Sequence, residues 1–329
     1  MYETFYNLKA KPFHLSPDPR FFFGSSGHKR VLAYLRYGIN QGEGFIVVTG
    51  EVGTGKTTLL RTLLSELPSE KNIIAAQLVT TQLESDELLK MVAASFGLAY
   101  EGRSKSALLE ELERFFMANA REGRRVLLIV DEAQNLPIHS LEELRMLSNY
   151  QVGSRSLFQS FLVGQVEFRN TLRSPNLEQL RQRVIASYHL GPMDLKETRA
   201  YVEHRLSLVG WEKDPGFTPE AYTAIYDFTN GVPRRINTLC DRVLLVGYLD
   251  EFHEITSETV AKVVEELREE TAAPDQEGVG ERGGLIGNAQ EAQAPHNERL
   301  AGLEKRVEEL EQWVRSAQSS LKELVSNLD

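Results

Sequence analysis

Two short stretches of the chain carry residue types that could do chemistry. Gly50–Thr58 reads GEVGTGKTT, and Leu128–Asn135 reads LIVDEAQN, an apolar run ending on two adjacent carboxylates. The first has the spacing G-x-x-x-x-G-K-T. Gly50, Gly53 and Gly55 let a backbone wrap an anion without Cβ clashes. The N–H groups from Gly53 through Thr54, Gly55, Lys56 and Thr57 to Thr58 then point inward at phosphate oxygens, beside a helix N-terminus. Lys56 would reach the β- and γ-phosphates of ATP, and the Thr57 hydroxyl would bind Mg²⁺. In the second stretch, adjacent carboxylates at the end of a buried run are costly unless something uses them. An aspartate at a strand end beside such a loop helps hold Mg²⁺, which makes Asp131 the second metal candidate. Glu132, one residue on, is placed to orient and deprotonate an attacking water. Lys56 and Glu132 are thus the catalytic candidates of the two motifs.

These motifs need elements to position them. Candidate strands are Phe45–Thr49, Ile73–Leu78, Val126–Val130, Phe158–Val163 and Val184–Leu190. They alternate with stretches such as SDELLKMVAASFGL and SKSALLEELERFFMANA, where apolar residues recur at helical spacing. Such alternation predicts an α/β fold: a parallel sheet covered by helices on both faces. The loop follows one strand and opens a helix, which is the context a phosphate-binding loop requires. Ile73–Leu78 lies between the two motifs in sequence, which predicts an extra strand between phosphate loop and acid pair, as in hydrolytic motor ATPases rather than kinases.

From Asp194 onward the strands stop. DLKETRAYVEHRLSLVGW, TPEAYTAIYDFTNG, PRRINTLCDRVLLVGYL and TSETVAKVVEELREE read as four helices. Asp194 and Thr218 are N-cap candidates, with Pro219 and Pro233 in first turns. The expected organisation is an aromatic and proline-rich segment over 1–44, an ATPase core over 45–192, and a small helical lid over 193–270. A linker rich in Gly, Ala, Pro and Gln follows over 271–297. Within 298–329, Leu300, Leu303, Val307, Leu310, Val314, Ala317, Leu321, Leu324 and Leu328 alternate in steps of three and four, a heptad seam that predicts a coiled coil.

Other side chains are candidates for the remaining machinery. Arg181 and Arg183 precede the last strand, where several motor ATPases carry an arginine that reaches a neighbouring subunit's γ-phosphate. Arg234 and Arg235 open a lid helix, from which an arginine could reach back to the nucleotide. Gln165 follows the strand ending FLVG and is placed to sense the γ-phosphate. His14, His28, His139, His189 and His204 have no metal-ligand spacing with one another or with Cys240. The single cysteine excludes an intrachain disulfide and a multi-cysteine metal site, and fits a reducing, cytoplasmic compartment. The net charge of −10 gives no basic field to draw the chain onto nucleic acid. No apolar run approaches the ~20 residues a membrane span needs.

Taken together, GEVGTGKTT, LLIVDEAQ, FLVGQVEF, LRQRV and GVPRRIN, in that order, resemble an AAA+ ATPase. More narrowly they resemble the general secretion pathway protein A group, through PFHLSPDPRFFFGSSGHKRVLAYLRYGI and LEELRMLSNYQ. Within it, the chain is most similar to the ATPases encoded at exosortase/PEP-CTERM loci. The resemblance covers about residues 1–270. It implies a five-stranded parallel core, a helical lid and a nucleotide bound between them, with the N-terminal segment near the adenine. It places Arg183 as the trans-acting finger ahead of Arg181, Arg234 as the lid arginine and Gln165 as the first sensor. It also implies a homo-oligomer that works with membrane-associated secretion or polysaccharide-export proteins, peripheral to the inner membrane through a partner. Many members of the group continue into a membrane span and a peptidoglycan-binding domain, where this sequence has the linker and heptads. Two other readings stay open: a DNA-binding AAA+ regulator of the transposon target-selection type, and a slow nucleotide-gated scaffold. The likeness of DEAQ to helicase boxes leads no further, because no second helicase core follows.

Overall fold

The computed structural model describes residues 1–70, 72–79 and 84–272. The linker beyond Ala272 and the heptad seam of 298–329 lie outside the described residues. Five strands, β1 (Phe45–Gly50), β2 (Ile73–Val79), β3 (Arg125–Asp131), β4 (Phe158–Gly164) and β5 (Val184–Leu190), form one sheet in the order β2-β3-β4-β1-β5. Every pairing in it is parallel. The five candidate segments are therefore strands, each within a residue of its expected ends.

Side chains alternate between the two faces with the strand period of two. Phe45, Val47, Leu128, Val130, Phe158 and Leu162 point to one side. There they meet α3 (Ser85–Ser95), α4 (Lys105–Arg121) and α5 (Ile138–Leu147), through Leu88, Leu112 and Leu144 among others. Ile46, Val48, Leu127, Ile129, Phe161 and Val163 point to the other. They are covered by Val31, Leu35 and Ile39 of α1 (Ser26–Gln41) and by Leu59, Leu60 and Leu63 of α2 (Lys56–Glu70). Each such buried side chain contributes about 1.5–3 kcal/mol, so double coverage fixes which strands run through the middle.

One expectation about the sheet needs correcting. A strand does stand between β1 and β3, but it is β4, not Ile73–Val79, which lies at the edge. Burial explains the choice. All seven residues of β4 are buried, whereas β2 buries only Ala76 and Leu78 and exposes Val79. The polar Gln159 in β4 is paid for by hydrogen bonds from Nε2 to the carbonyls of Gly38 (2.8 Å) and Glu43 (2.9 Å). At the other edge, β5 is buried only at Leu190.

Four helices follow the sheet: α6 (Leu195–Ser207), α7 (Pro219–Thr229), α8 (Pro233–Leu249) and α9 (Ser257–Ala272). Asp194 caps α6 by accepting from Glu197 N at 2.8 Å, and Thr218 caps α7 by accepting from Ala221 N at 3.2 Å. Their core gathers Val202, Leu206, Ile225, Leu239, Val243 and Val260 around Cys240. Burial pushes the Cys240 thiol up, so it packs as a small apolar group. Tyr2, Tyr6, Leu8 and Phe13 belong to this helical core too. Tyr2 Oη donates to Asp241 (2.5 Å) and Tyr6 Oη to the Phe252 carbonyl (2.9 Å). The segment 1–44 is thus shared: residues among its first thirteen pack with helices α6–α9, and α1 packs on the sheet. Among the described residues no helix is long and apolar enough to cross a membrane.

Candidate nucleotide site

β1 ends at Gly50 and α2 begins at Lys56, so the glycine-rich loop joins a sheet end to a helix N-terminus. Gly53 and Gly55 have φ of +85° and +93°, conformations that side-chain-bearing residues rarely adopt. Lys56 is buried, and its Nζ donates to the carbonyls of Gly50 (2.8 Å) and Glu51 (2.9 Å). Burial lowers its pKa, opposed by the nearby carboxylates of Glu132 and Asp131.

β3 delivers the acid pair to the same sheet end. The buried Asp131 accepts from Thr57 Oγ1 (3.1 Å) through Oδ2 and from the Glu132 N–H (3.0 Å) through Oδ1. Burial raises the Asp131 pKa, while those two hydrogen bonds favour its charged form. Glu132 sits in the left-handed region at φ +56°, a conformation uncommon for a residue other than glycine. Its Oε2 accepts from Gln134 Nε2 (2.6 Å) and from Gln165 Nε2 (3.2 Å). Gln165 comes from the end of β4, so the central position of that strand is what brings it to Glu132. An anion cradle beside a hydroxyl–carboxylate pair suits a polyphosphate with a hard, oxygen-seeking divalent cation.

Above this floor lies a cavity of about 200 Å³. Its lining includes Gly53, Gly55, Lys56, Thr57, Thr58, Glu132 and Gln165 below. Residues His14–Asp18 and Phe21–Phe23 line one side, and Tyr201, Arg205, Arg234 and Asn237 of the lid helices another. The Arg234 N–H at the start of α8 donates to the Gly53 carbonyl at 3.1 Å. A Cβ on Gly53 would stand 2.6 Å from Arg234 Cβ, so the glycine also permits this close approach.

Sequence reasoning missed three residues here. Arg205 is buried and donates from Nε to the Pro12 carbonyl (2.5 Å) and from Nη2 to that of His14 (2.9 Å), with its guanidinium 4.6 Å from the Phe21 ring centre. It fastens the N-terminal segment to α6. His28, also buried, bonds Ser25 Oγ (2.7 Å) through Nδ1 and the Thr54 carbonyl (3.0 Å) through Nε2, tying α1 to the phosphate loop. Gln134 forms the third contact, on Glu132. Arg205 finds its partners 193 and 191 residues away and His28 reaches the phosphate loop 26 residues on, so spacing carried no signal for them; Gln134 stood inside the quoted motif.

The two arginines before β5 are placed differently from Arg234. Arg181 Nη1 donates to the carbonyls of Leu172 (2.7 Å) and Ser174 (2.6 Å). Arg183 donates to Ser148 Oγ (2.7 Å) and Asn149 Oδ1. Neither lines the cavity of its own chain, and Arg235 does not either. Among the described residues no group of three or more His, Cys, Asp and Glu could hold a metal ion; Thr57 and Asp131 are the cation candidates through their contact with each other.

Residues 39–172 match a protein family described as AAA domain. Over 256 residues the chain is 41% identical to general secretion pathway protein A of Aeromonas hydrophila, which covers 78% of this chain and 46% of that protein. The chain thus spans about half the length of that relative. Among solved structures it is similar to the ORC2 protein of Aeropyrum pernix (ADPNP–ADP complexes), with a TM-score of 0.60 and 17% identity over 78% of this chain and 72% of that one. It is also similar to Cdc6p of Pyrobaculum aerophilum, with a TM-score of 0.58 and 17% identity over 76% and 71%. The parallel order β2-β3-β4-β1-β5, the phosphate loop and these similarities together define an AAA-type P-loop NTPase fold, related in sequence to general secretion pathway protein A.

Proposed function

We propose that this protein is an oligomeric ATPase whose ATP-driven changes in lid position drive or regulate an envelope secretion or export assembly. The observation that carries the reading is the convergence of the Lys56 loop, the Thr57–Asp131 contact and Glu132 at one sheet end, beneath a cavity roofed by the lid. The backbone N–H groups of Gly53–Thr58 and the Lys56 ammonium would bind the ATP phosphates. Thr57 and Asp131 would hold Mg²⁺, which when bound neutralises phosphate charge. Glu132 takes a proton from the attacking water, and Gln165 reads the γ-phosphate from the adjacent strand end. Arg234 reports nucleotide to the lid through α8, whose first turn already touches Gly53. Arg183, directed away from its own cavity, acts in the site of a neighbouring subunit.

The relative in Aeromonas hydrophila supplies the secretion context. We extend it to membrane-associated secretion or polysaccharide-export partners, with exosortase-type loci as the specific setting. Measuring ATP turnover and nucleotide binding of Glu132→Gln tests the enzymatic part: ATP stays bound and turnover falls at least ~10²-fold. Undiminished turnover in that variant would remove Glu132 from the reaction. Co-purification from membranes of export components, with and without residues 271–329, tests the partner.

A further inference from the structure

We propose that Gln134 is a positioning residue for hydrolysis: its side-chain amide sets the Glu132 carboxylate against the end of β4, in register with Gln165. The inference deepens the proposed ATPase reading and rests on Glu132 acting there. Both ends of the amide are engaged. Nε2 donates to Glu132 Oε2 at 2.6 Å, and Oε1 accepts from the Gln165 backbone N–H at 2.9 Å. The amide's orientation follows from chemistry, since flipping it would set oxygen against carboxylate and NH₂ against N–H. Gln165 completes the ring by donating its own Nε2 to the same Glu132 oxygen at 3.2 Å. One residue of β3's exit and one of β4's exit therefore grip a single carboxylate oxygen.

The backbone makes room for this arrangement. A Cβ on Gly164 would stand 2.9 Å from Gln134 Oε1, so a side chain there would push the amide off its seat. The Glu132 backbone is in the left-handed region, and each hydrogen bond to its long side chain narrows the rotamers it samples. Holding it matters because a small misplacement of a reacting group can cost about 10²-fold in rate. Gln134 lies outside the cavity lining, so it acts through Glu132 and not on the nucleotide itself.

The experiment uses the full chain, with ATP turnover, binding of a fluorescent ATP analogue and thermal melting measured in parallel. Gln134→Ala, and the isosteric Gln134→Glu that loses the donor, should lower kcat by roughly 10–100-fold. Analogue affinity and melting temperature stay at the wild-type value. Gly164→Ala, which disturbs the same contact from the other strand, should lower kcat as well. The double variant Gln134→Ala/Gly164→Ala should be no slower than the slower single variant, because both changes break the Gln134 contact; the melting temperature of Gly164→Ala reads separately the 3.2 Å approach of its Cβ to Phe168 Cβ. Losses that multiply in the double variant, or turnover that is unchanged or raised in Gln134→Ala while Glu132→Gln is inactive, would overturn the proposal alone. An active Glu132→Gln would instead overturn the reading beneath it.

Discussion

The site has a floor and a roof, and the two are built in different ways. The floor comes from sheet ends: the loop after β1, the acid pair after β3 and Gln165 after β4. Each group there is set by a strand whose register is locked on both faces by buried side chains. The roof is assembled from segments far apart in sequence that meet only on folding. Arg205 of α6 holds carbonyls of Pro12 and His14, 193 and 191 residues away. A rigid floor fits groups that must hold phosphate and water in fixed geometry. A roof of helices joined to the sheet side by discrete contacts, such as the Arg234 N–H on Gly53, fits a part that moves with nucleotide.

This division predicts that variants of the acid pair in the floor spoil turnover and that roof variants spoil binding. The largest effect is expected at Glu132→Gln, about 10³-fold in kcat with ATP affinity retained. A matching loss of affinity would blur the comparison. Next comes Arg183→Ala, which belongs to neither floor nor roof of its own chain. It should lose about 10²-fold in turnover and recover in mixtures with a Lys56→Ala subunit that keeps Arg183. No recovery at any mixing ratio would return Arg183 to a purely intrachain role with Ser148 and Asn149. For the roof, Arg234→Ala should raise the ATP Kd by roughly tenfold, the loss of one charge-assisted contact, while kcat at saturation changes less than twofold. Titration calorimetry separates these outcomes.

The smallest effect tests the joint between the two parts. Burial lowers the pKa of His28 below its ordinary value of 6.5, opposed first by the hydrogen bond to the Thr54 carbonyl and then by the Glu197 carboxylate. The unfolded chain therefore takes up this proton at a higher pH than the folded one. Stability from the buried neutral ring is complete above about pH 6.5 and declines as pH falls below it. Melting temperatures of the wild type and His28→Gln across pH 7.5 to 5 should have different slopes, with the wild type falling more steeply. Other histidines with lowered pKa values, among them His14 and His204, contribute equally to both proteins and cancel in the comparison. Parallel curves would show that the ring between Ser25 and Thr54 carries no such linkage.

How much of this was legible in the sequence follows the same division. Motif residues of the floor announce themselves because their neighbours in sequence are their neighbours in space. Lys56 and Thr57 open the helix that directly follows the glycine-rich loop, and Asp131 and Glu132 stand at one strand end. The five strands were readable from apolar runs, and the four lid helices from period and caps. Gln134 was visible as a letter of LIVDEAQN, but its partner Gln165 N–H comes from another strand, 31 residues on. His28 gave no signal at all, since a histidine whose partners are a loop carbonyl and a cap serine has no spacing to betray it.

By itself, then, the sequence determined the elements and the chemistry of the phosphate site, because strand periodicity, helix caps and the G-x-x-x-x-G-K-T loop are local consequences of side-chain type. Strand order was beyond it. Ile73–Val79 and Phe158–Gly164 are both short apolar segments, and only packing against helices on both faces decided that the second takes the centre and carries Gln165 to Glu132. The tertiary structure likewise decided that Tyr2, Tyr6, Leu8 and Phe13 join the core of helices α6–α9. Burying those aromatic rings needed the apolar faces of helices some two hundred residues further along, a match no local pattern encodes.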